Sequence, residues 1–221
     1  GFLGLALQAP RFDQDAIERV KAQIISSIKR DESDPGSRAR DRLNTLAFPN
    51  HCYGKPADGI IADLQSITRA DILALHGKLV ARDTLKIVAV GAISAKDLVS
   101  LVEKAFGPLP KSADLITVPD IAMQNAGLTE IVDLDIPQST LYLALPGIAR
   151  RDPEHMSAMV LNHILGGGSF TSRFWSEVRE KRGLAYSVWS SLTARRHAAL
   201  FFAGTATSNE RVAESLAVMQ G

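Results

Sequence analysis

The sequence predicts an α+β protein that holds parts of two domains. Apolar residues at helical spacing alternate with short apolar runs that are typical of strands. Between the halves, from about residue 107, lies a proline-containing stretch without a sustained period, which favours an interdomain linker. We therefore predict the C-terminal part of a first domain over residues 1–107, a linker over 108–127, and the N-terminal part of a second domain over 128–221. Neither end completes a supersecondary unit, so we expect both ends to be truncated.

The composition excludes several classes of protein. Lys and Arg number 25 against 24 Asp and Glu, and this net charge of +1 gives no bulk attraction to nucleic acid or to an anionic membrane. The single cysteine, Cys52, excludes an internal disulfide and a Cys-rich zinc site. No apolar run approaches the ~18 residues that span a bilayer. With 46% hydrophobic and 22% charged residues, the chain has the composition of an ordinary globular protein.

In the first half, the pattern predicts four helices and one buried strand. Each helix start carries a side chain that can accept hydrogen bonds from free backbone N–H groups: Asp13, Asp34, Thr68 and Ser94. The third helix is predicted to run to about Val80 and the fourth to Phe106, before Gly107. Residues 49–59 form a predicted loop, and residues 84–90 (TLKIVAV) a predicted buried strand.

In the second half, four strands and three helices are predicted. The strands cover residues 128–136, 140–145, 185–193 and 198–205, and the last two form a hairpin. One helix starts at Asp152-Pro153 and ends at the glycine triplet 166–168. A second helix covers residues 172–182 and ends at Gly183, and Asn209 is predicted to cap the last one.

The histidines do not form a metal-ligand pattern. Residues 151–155 read Arg-x-x-Glu-His, in which a fixed cation stands where a zinc motif needs a first histidine. We therefore expect His155 to be a surface residue in the first turn of its helix. His163 is expected to pack on an apolar helix, and His197 to lie at a solvated hairpin turn.

The segment 165–192 holds the most informative residues. Gly166, Gly167 and Gly168 make a deformable joint where another chain can approach closely. Arg179 lies in the last turn of a helix, and the tight reversal after it lets Tyr186 reach the same spot. A guanidinium and a phenol hydroxyl are donors suited to a carbonyl oxygen that gains negative charge. Taken alone, the residues favour a simpler interpretation, in which the Arg is a surface residue and the Tyr packs on the sheet.

The run SRFWSEVREKRGLAYSV (172–188), with LGGG before it, resembles the pitrilysin/insulinase-type zinc peptidases, whose smaller bacterial members are similar to mitochondrial processing peptidase. The resemblance extends upstream through FPNHCYGKPADGI, ITRADILALHGKLV and TLKIVAVGAI, and covers nearly the whole chain. It implies tandem homologous α/β-roll domains, with antiparallel-rich sheets covered by helices, as half of a clamshell around an unfolded peptide. One half would carry zinc on His-x-x-Glu-His and a distal Glu. The other would present an Arg/Tyr pair, matched here by Arg179 and Tyr186, to the substrate carbonyl.

The chain also departs from the family's pattern. It contains no His-x-x-Glu-His. Glu18 lies about where the distal zinc ligand is expected, but Val20 stands where a Glu is common, so we do not assign Glu18 as a ligand. The sequence resembles most the non-catalytic partner subunits of bacterial two-subunit members. We therefore expect no cofactor in this chain and zinc in a partner subunit or half, with an unfolded peptide as the other partner.

Two alternatives stay open at this point. The parent chain could itself be a catalytic zinc metalloendopeptidase, with its zinc motif upstream of residue 1. It could also be a structural or assembly core subunit without a proteolytic role, against which the presence of Arg179 and Tyr186 argues. Resemblance to bacterial subunits with export signals suggests the periplasm and leaves the cytoplasm open. Peptide preference cannot be read from the sequence.

Overall fold

A computed structural model describes residues 2–221, which form helices and one antiparallel sheet and so confirm the predicted α+β class. The sheet consists of β1 (Gln138–Pro146), β2 (Ala185–Ala194) and β3 (Ala199–Ser208). Two π-helical turns cover His163–Gly167 and Trp175–Glu180. The α-helices are α1 (Phe2–Gln8), α2 (Gln14–Asp31), α3 (Pro35–Ala47), α4 (Ile61–Ser66), α5 (Arg69–Leu79), α6 (Ala95–Phe106), α7 (His155–Asn162) and α8 (Val212–Gln220).

The chain divides into two compact units. The first contains the residues up to Ser26 together with Ile60–Thr117, and the second contains Ser27–Gly59 and Val118–Gly221. Helix α3 thus belongs to the unit that holds the sheet, although it lies early in the sequence. The domain parts over residues 1–107 and 128–221, with a linker over 108–127, stay a prediction.

In the first unit, the helix starts follow the predicted capping chemistry. The Thr68 hydroxyl accepts from the backbone N–H of Asp71, whose carboxylate accepts from the backbone N–H of Thr68. The hydrogen bonds that the hydroxyl and the backbone N–H of Thr68 donate to this carboxylate lower the pKa of Asp71. The Ser94 hydroxyl caps α6 in the same way through the N–H of Asp97. Because such caps depend on residues within one turn, sequence alone sufficed to predict where α5 and α6 begin.

The buried strand predicted over residues 84–90 is wrong. The segment forms no ladder with any described residue, and Val88 and Val90 are 90% and 98% exposed. A strand becomes buried only when neighbouring strands and a covering layer accept its backbone groups and side chains. Among residues 2–221, nothing supplies that ladder in this unit.

In the second unit, β3 is the central strand, and β1 and β2 pair with it on either side. The predicted strand 140–145 and the predicted hairpin are therefore confirmed. A hydrophobic core consists of buried residues from β2, β3, α8 and the segment of the second π turn up to β2: Phe174, Val178, Leu184, Ala185, Val188, Ala203 and Met219. A second cluster brings Phe48, at the end of α3, against Ala47 and Leu200. Asp34 starts α3 as predicted, accepting from the N–H of Ser37.

Two other predictions in this unit are wrong. Residues 128–136 form no strand, and Ile131 is exposed. Asn209 does not cap α8, which begins at Val212 without a side-chain cap. Its amide instead donates to the carbonyl of Ile136, and its side-chain oxygen accepts from the hydroxyl of Ser139. These tertiary hydrogen bonds at the start of β1 take the place of the local cap.

The helix ends at the glycine triplet as predicted, but it starts later than predicted and its last turn is π-helical. Helix α7 begins at His155 rather than Asp152, and the π turn that follows it includes Gly166 and Gly167. A Cβ on Gly166 would lie 2.7 Å from both the backbone nitrogen of Ser190 and the ring of Phe174. Only glycine therefore lets this turn approach β2 so closely. The deformability of the joint formed by Gly166, Gly167 and Gly168 stays a prediction.

Candidate functional site

Arg179 and Tyr186 lie side by side on the surface of the second unit. Arg179 belongs to the second π turn, and Gly183, with φ of +56°, reverses the chain into β2. The backbone N–H of Gly183 donates to the carbonyl of Arg179 at 2.9 Å and fixes this reversal. The guanidinium carbon of Arg179 lies 4.6 Å from the ring centre of Tyr186. The structure thus brings together the two predicted side chains, and their role toward a substrate stays a prediction.

Two aromatic residues that the sequence analysis did not single out complete this surface. The guanidinium carbon of Arg179 lies 4.0 Å from the ring centre of Trp175. The ring of Phe170 meets that of Trp175 edge to face, with centroids 4.5 Å apart. We call Phe170, Trp175, Arg179 and Tyr186 the cation–aromatic stack. The four-residue spacing of Trp175 and Arg179 was the available signal, since side chains at that spacing can meet on a helix.

The polar ends of Arg179 and Tyr186 have no protein partner in the part of the chain that the structure describes. Glu177, two residues before Arg179, is engaged elsewhere, because its carboxylate accepts from Lys181 and Arg182 at 2.6 Å each. No hydrogen bond or ion pair within residues 2–221 involves the Arg179 guanidinium or the Tyr186 hydroxyl, and Tyr186 is 82% exposed. Both donors are therefore available to a ligand.

The two cations beside Glu177 lower its pKa to about 2, with the hydrogen bond from Lys181 as the largest cause and that from Arg182 next. The stability that these ion pairs contribute should therefore be fully present above pH about 4.5, the ordinary value, and should be lost as the pH falls through about 2. A carbon-detected NMR titration of the Glu177 carboxyl should give a midpoint near 2. Arg182→Gln should raise that midpoint, and a wild-type midpoint near the ordinary value would contradict the assigned pairs.

Three histidines lie in surroundings that differ from those expected. His155 is buried rather than on the surface, because α7 begins at this residue instead of three residues earlier. His163 is exposed rather than packed, since the first π turn begins there and changes the direction of the side chains. Both line a groove of about 560 Å³ between α7 and β2. His197 is mostly buried and pairs through Nδ1 with Asp120 at 2.8 Å.

The described residues do not fit a zinc ion. Within residues 2–221, no group of three His, Cys, Asp or Glu side chains is placed to hold a metal. Glu18 lies exposed on α2, where it accepts from the amide of Gln14 at 2.8 Å. None of the described helices is both long and apolar enough to cross a membrane.

Comparison with known proteins decides the family. A family profile described as the peptidase M16 inactive domain matches residues 66–221, which include the whole cation–aromatic stack. The chain belongs to the peptidase M16 family. This confirms the resemblance to pitrilysin-like zinc peptidases, and the matched part is the family's non-catalytic domain.

Bacterial proteins dominate the relatives of similar sequence. An uncharacterized zinc protease of Streptomyces coelicolor is 30% identical over 194 residues, which cover 85% of this chain and 42% of that protein. The uncharacterized zinc protease YmxG of Bacillus subtilis is 26% identical over 216 residues, covering 95% of this chain and 52% of the relative. The crystal structure of a peptidase M16 inactive domain from Pseudomonas fluorescens has a TM-score of 0.88 at 29% identity, covering 98% of this chain and 52% of that one. The chain thus spans about half the length of these relatives.

Proposed function

We propose that this M16 chain is the non-catalytic, peptide-binding half of a heteromeric zinc peptidase. Arg179 and Tyr186 would donate hydrogen bonds to the carbonyl of the scissile peptide bond, while a partner subunit or half supplies the zinc and the general base. The observation that supports this most is that both side chains present unpaired donors on one exposed surface of a domain matched as inactive.

The side chains of Arg179 and Tyr186 are chemically suited to bind a peptide carbonyl while it is attacked. When a peptide bond is attacked, its carbonyl oxygen gains negative charge, and donors that are already in place stabilise that charge without reorganising. The guanidinium carries several N–H donors in one plane and stays protonated at any physiological pH, and the phenol adds one O–H donor. Neither group needs to give up its proton. This chain would therefore bind and polarise the substrate rather than activate the attacking water.

A binding measurement tests the proposal with this chain alone. A labelled unfolded peptide should bind with an affinity that Arg179→Ala weakens about 10- to 100-fold, as expected for losing a hydrogen bond from a charged donor. Arg182→Ala is the matched control, because Arg182 lies three residues away and already pairs with Glu177. Fluorescence anisotropy would measure both variants. Equal affinities for wild type and Arg179→Ala, or an equal loss in Arg182→Ala, would contradict the proposal.

If the chain is a structural or assembly subunit, the expected effect on peptide binding is the opposite. Such a subunit needs no free donors at this surface, so removing Arg179 or Tyr186 would leave peptide binding unchanged. A catalytic parent chain with its zinc motif upstream is compatible with the same Arg/Tyr role. Sequencing the residues that precede residue 1 in the parent gene, and finding or not finding His-x-x-Glu-His there, separates it from a non-catalytic subunit.

A further inference from the structure

The feature that carries a further inference is the contact between Arg179 and Trp175. The guanidinium lies closer to the Trp175 ring, at 4.0 Å, than to the Tyr186 ring, at 4.6 Å. Both distances are within the range in which a cation is attracted to the face of an aromatic ring. Trp is the strongest of the aromatic partners in this interaction. Arg179 is thus held by two rings and by no hydrogen bond of its guanidinium within residues 2–221.

This arrangement leaves the donors of Arg179 free while restricting its movement. A hydrogen-bonded or ion-paired arginine is also fixed, but its N–H groups are then occupied, as those of Arg182 are by Glu177. Contact with the faces of rings uses the π-side of the guanidinium and leaves the N–H groups in its plane available. A long side chain that is already ordered loses less conformational freedom when it binds a ligand.

The ring of Trp175 is itself held in place. Phe170 packs its ring against it at 79° between planes. Phe170 is 69% exposed, and the residue before it, Ser169, has φ of +52°, a conformation that non-glycine residues seldom adopt. The backbone thus accepts an unfavourable conformation beside an exposed aromatic residue. Neither feature is needed for the core of the unit, to which Phe170 does not belong.

We propose that Trp175 is a positioning residue, buttressed by Phe170, that orients the guanidinium of Arg179 toward a peptide carbonyl. This rests on the proposed function above and adds the residue on which the Arg179 contact depends. Trp175 touches no substrate atom in this scheme and acts only through Arg179. An aromatic ring at position 175 is what matters, so Phe should largely replace Trp, and Leu should not.

The test compares Trp175→Leu with Trp175→Phe in the full chain. Trp175→Leu should weaken binding of the labelled unfolded peptide about 3- to 30-fold, the range expected for losing a cation–π contact, and Trp175→Phe should retain most of the affinity. Trp189→Leu is the control, because Trp189 is the protein's other tryptophan and lies outside the stack. With binding measured well below the melting temperature of each variant, Trp189→Leu should bind the peptide like wild type. The side-chain NMR signals of Arg179 should be shifted by ring currents in wild type and Trp175→Phe, and return toward ordinary values in Trp175→Leu.

Each outcome bears on one claim. If Arg179→Ala loses binding and Trp175→Leu does not, the positioning role is refuted and the proposed function stands. If neither variant loses binding, the proposed function itself fails. Equal losses in Trp175→Phe and Trp175→Leu would also refute the role of an aromatic ring. Should Trp175→Leu not fold, Phe170→Ala, a change at an exposed side chain, must weaken binding and alter the Arg179 signals for the inference to survive.

Discussion

Arg179→Ala, introduced into the assembled and zinc-loaded peptidase, should lower turnover about 10²- to 10³-fold, the usual cost of removing one donor to a developing oxyanion. The free guanidinium beside Tyr186 supports this magnitude, because no other protein group within residues 2–221 competes for its N–H donors. The loss in kcat should exceed the weakening of peptide binding, since the carbonyl oxygen carries more charge in the transition state than in the bound peptide. Steady-state kinetics on a quenched-fluorescence peptide would measure it.

Tyr186→Phe should give a loss of the same order, since it removes only the hydroxyl and keeps the ring that contacts Arg179. Arg182→Ala serves again as the control and should retain near-normal turnover. Unchanged turnover in both Arg179→Ala and Tyr186→Phe would remove the assignment of this pair to the substrate carbonyl. A loss confined to KM would instead indicate binding of the substrate without stabilisation of the transition state.

Phe48→Ala should lower the free energy of unfolding of the second unit by about 3–5 kcal/mol. Phe48 is 0% exposed and packs against Ala47 and Leu200, with the ring of Tyr53 edge-on at 6.0 Å. The neighbouring backbone packs closely here, since a Cβ on Gly54 would clash with the carbonyl oxygen of Phe48. The cavity left by the lost ring therefore has little scope to collapse. Urea unfolding followed by circular dichroism would measure the change.

The matched control for Phe48→Ala is Phe170→Ala, which removes the same ring from an exposed position in the same unit. It should change stability by no more than about 0.5 kcal/mol. Equal destabilisation by the two substitutions would mean that Phe48 does not anchor the cluster at the end of α3.

Local chemistry explains what the sequence could predict of the fold. Asp34, Thr68 and Ser94 form their caps with residues within one turn, so the starts of three helices were readable. The hairpin of β2 and β3 was readable because its strands are close in sequence. The segments 84–90 and 128–136 have equally apolar sequences but no ladder within the described chain. Strand formation depends on distant partners, which an apolar run does not reveal.

The residues of the candidate site likewise fall into those that the sequence predicted and those that it did not. Arg179 and Tyr186 were found because a helix end, a glycine with positive φ and a strand start bring them together over seven residues. Trp175 was missed although its four-residue spacing from Arg179 was a signal, and Phe170 was missed because it lies in a separate turn before that helix. The π turn that begins at His163 explains why the exposure of this residue was misjudged.

The two π turns make this region sensitive to chain length as well as to side-chain identity. A π turn holds one residue more than the α-helical turn it interrupts. Deleting a single residue between Trp175 and Arg179 would restore regular hydrogen bonding and rotate the preceding side chains by about 100° around the helix axis. The aromatic rings and the Arg179 guanidinium of the cation–aromatic stack would then face different directions, although all four residues would still be present. When chimaeras are built or relatives are aligned across this region, the number of residues between the glycines and β2 therefore has to be kept as well as their chemistry.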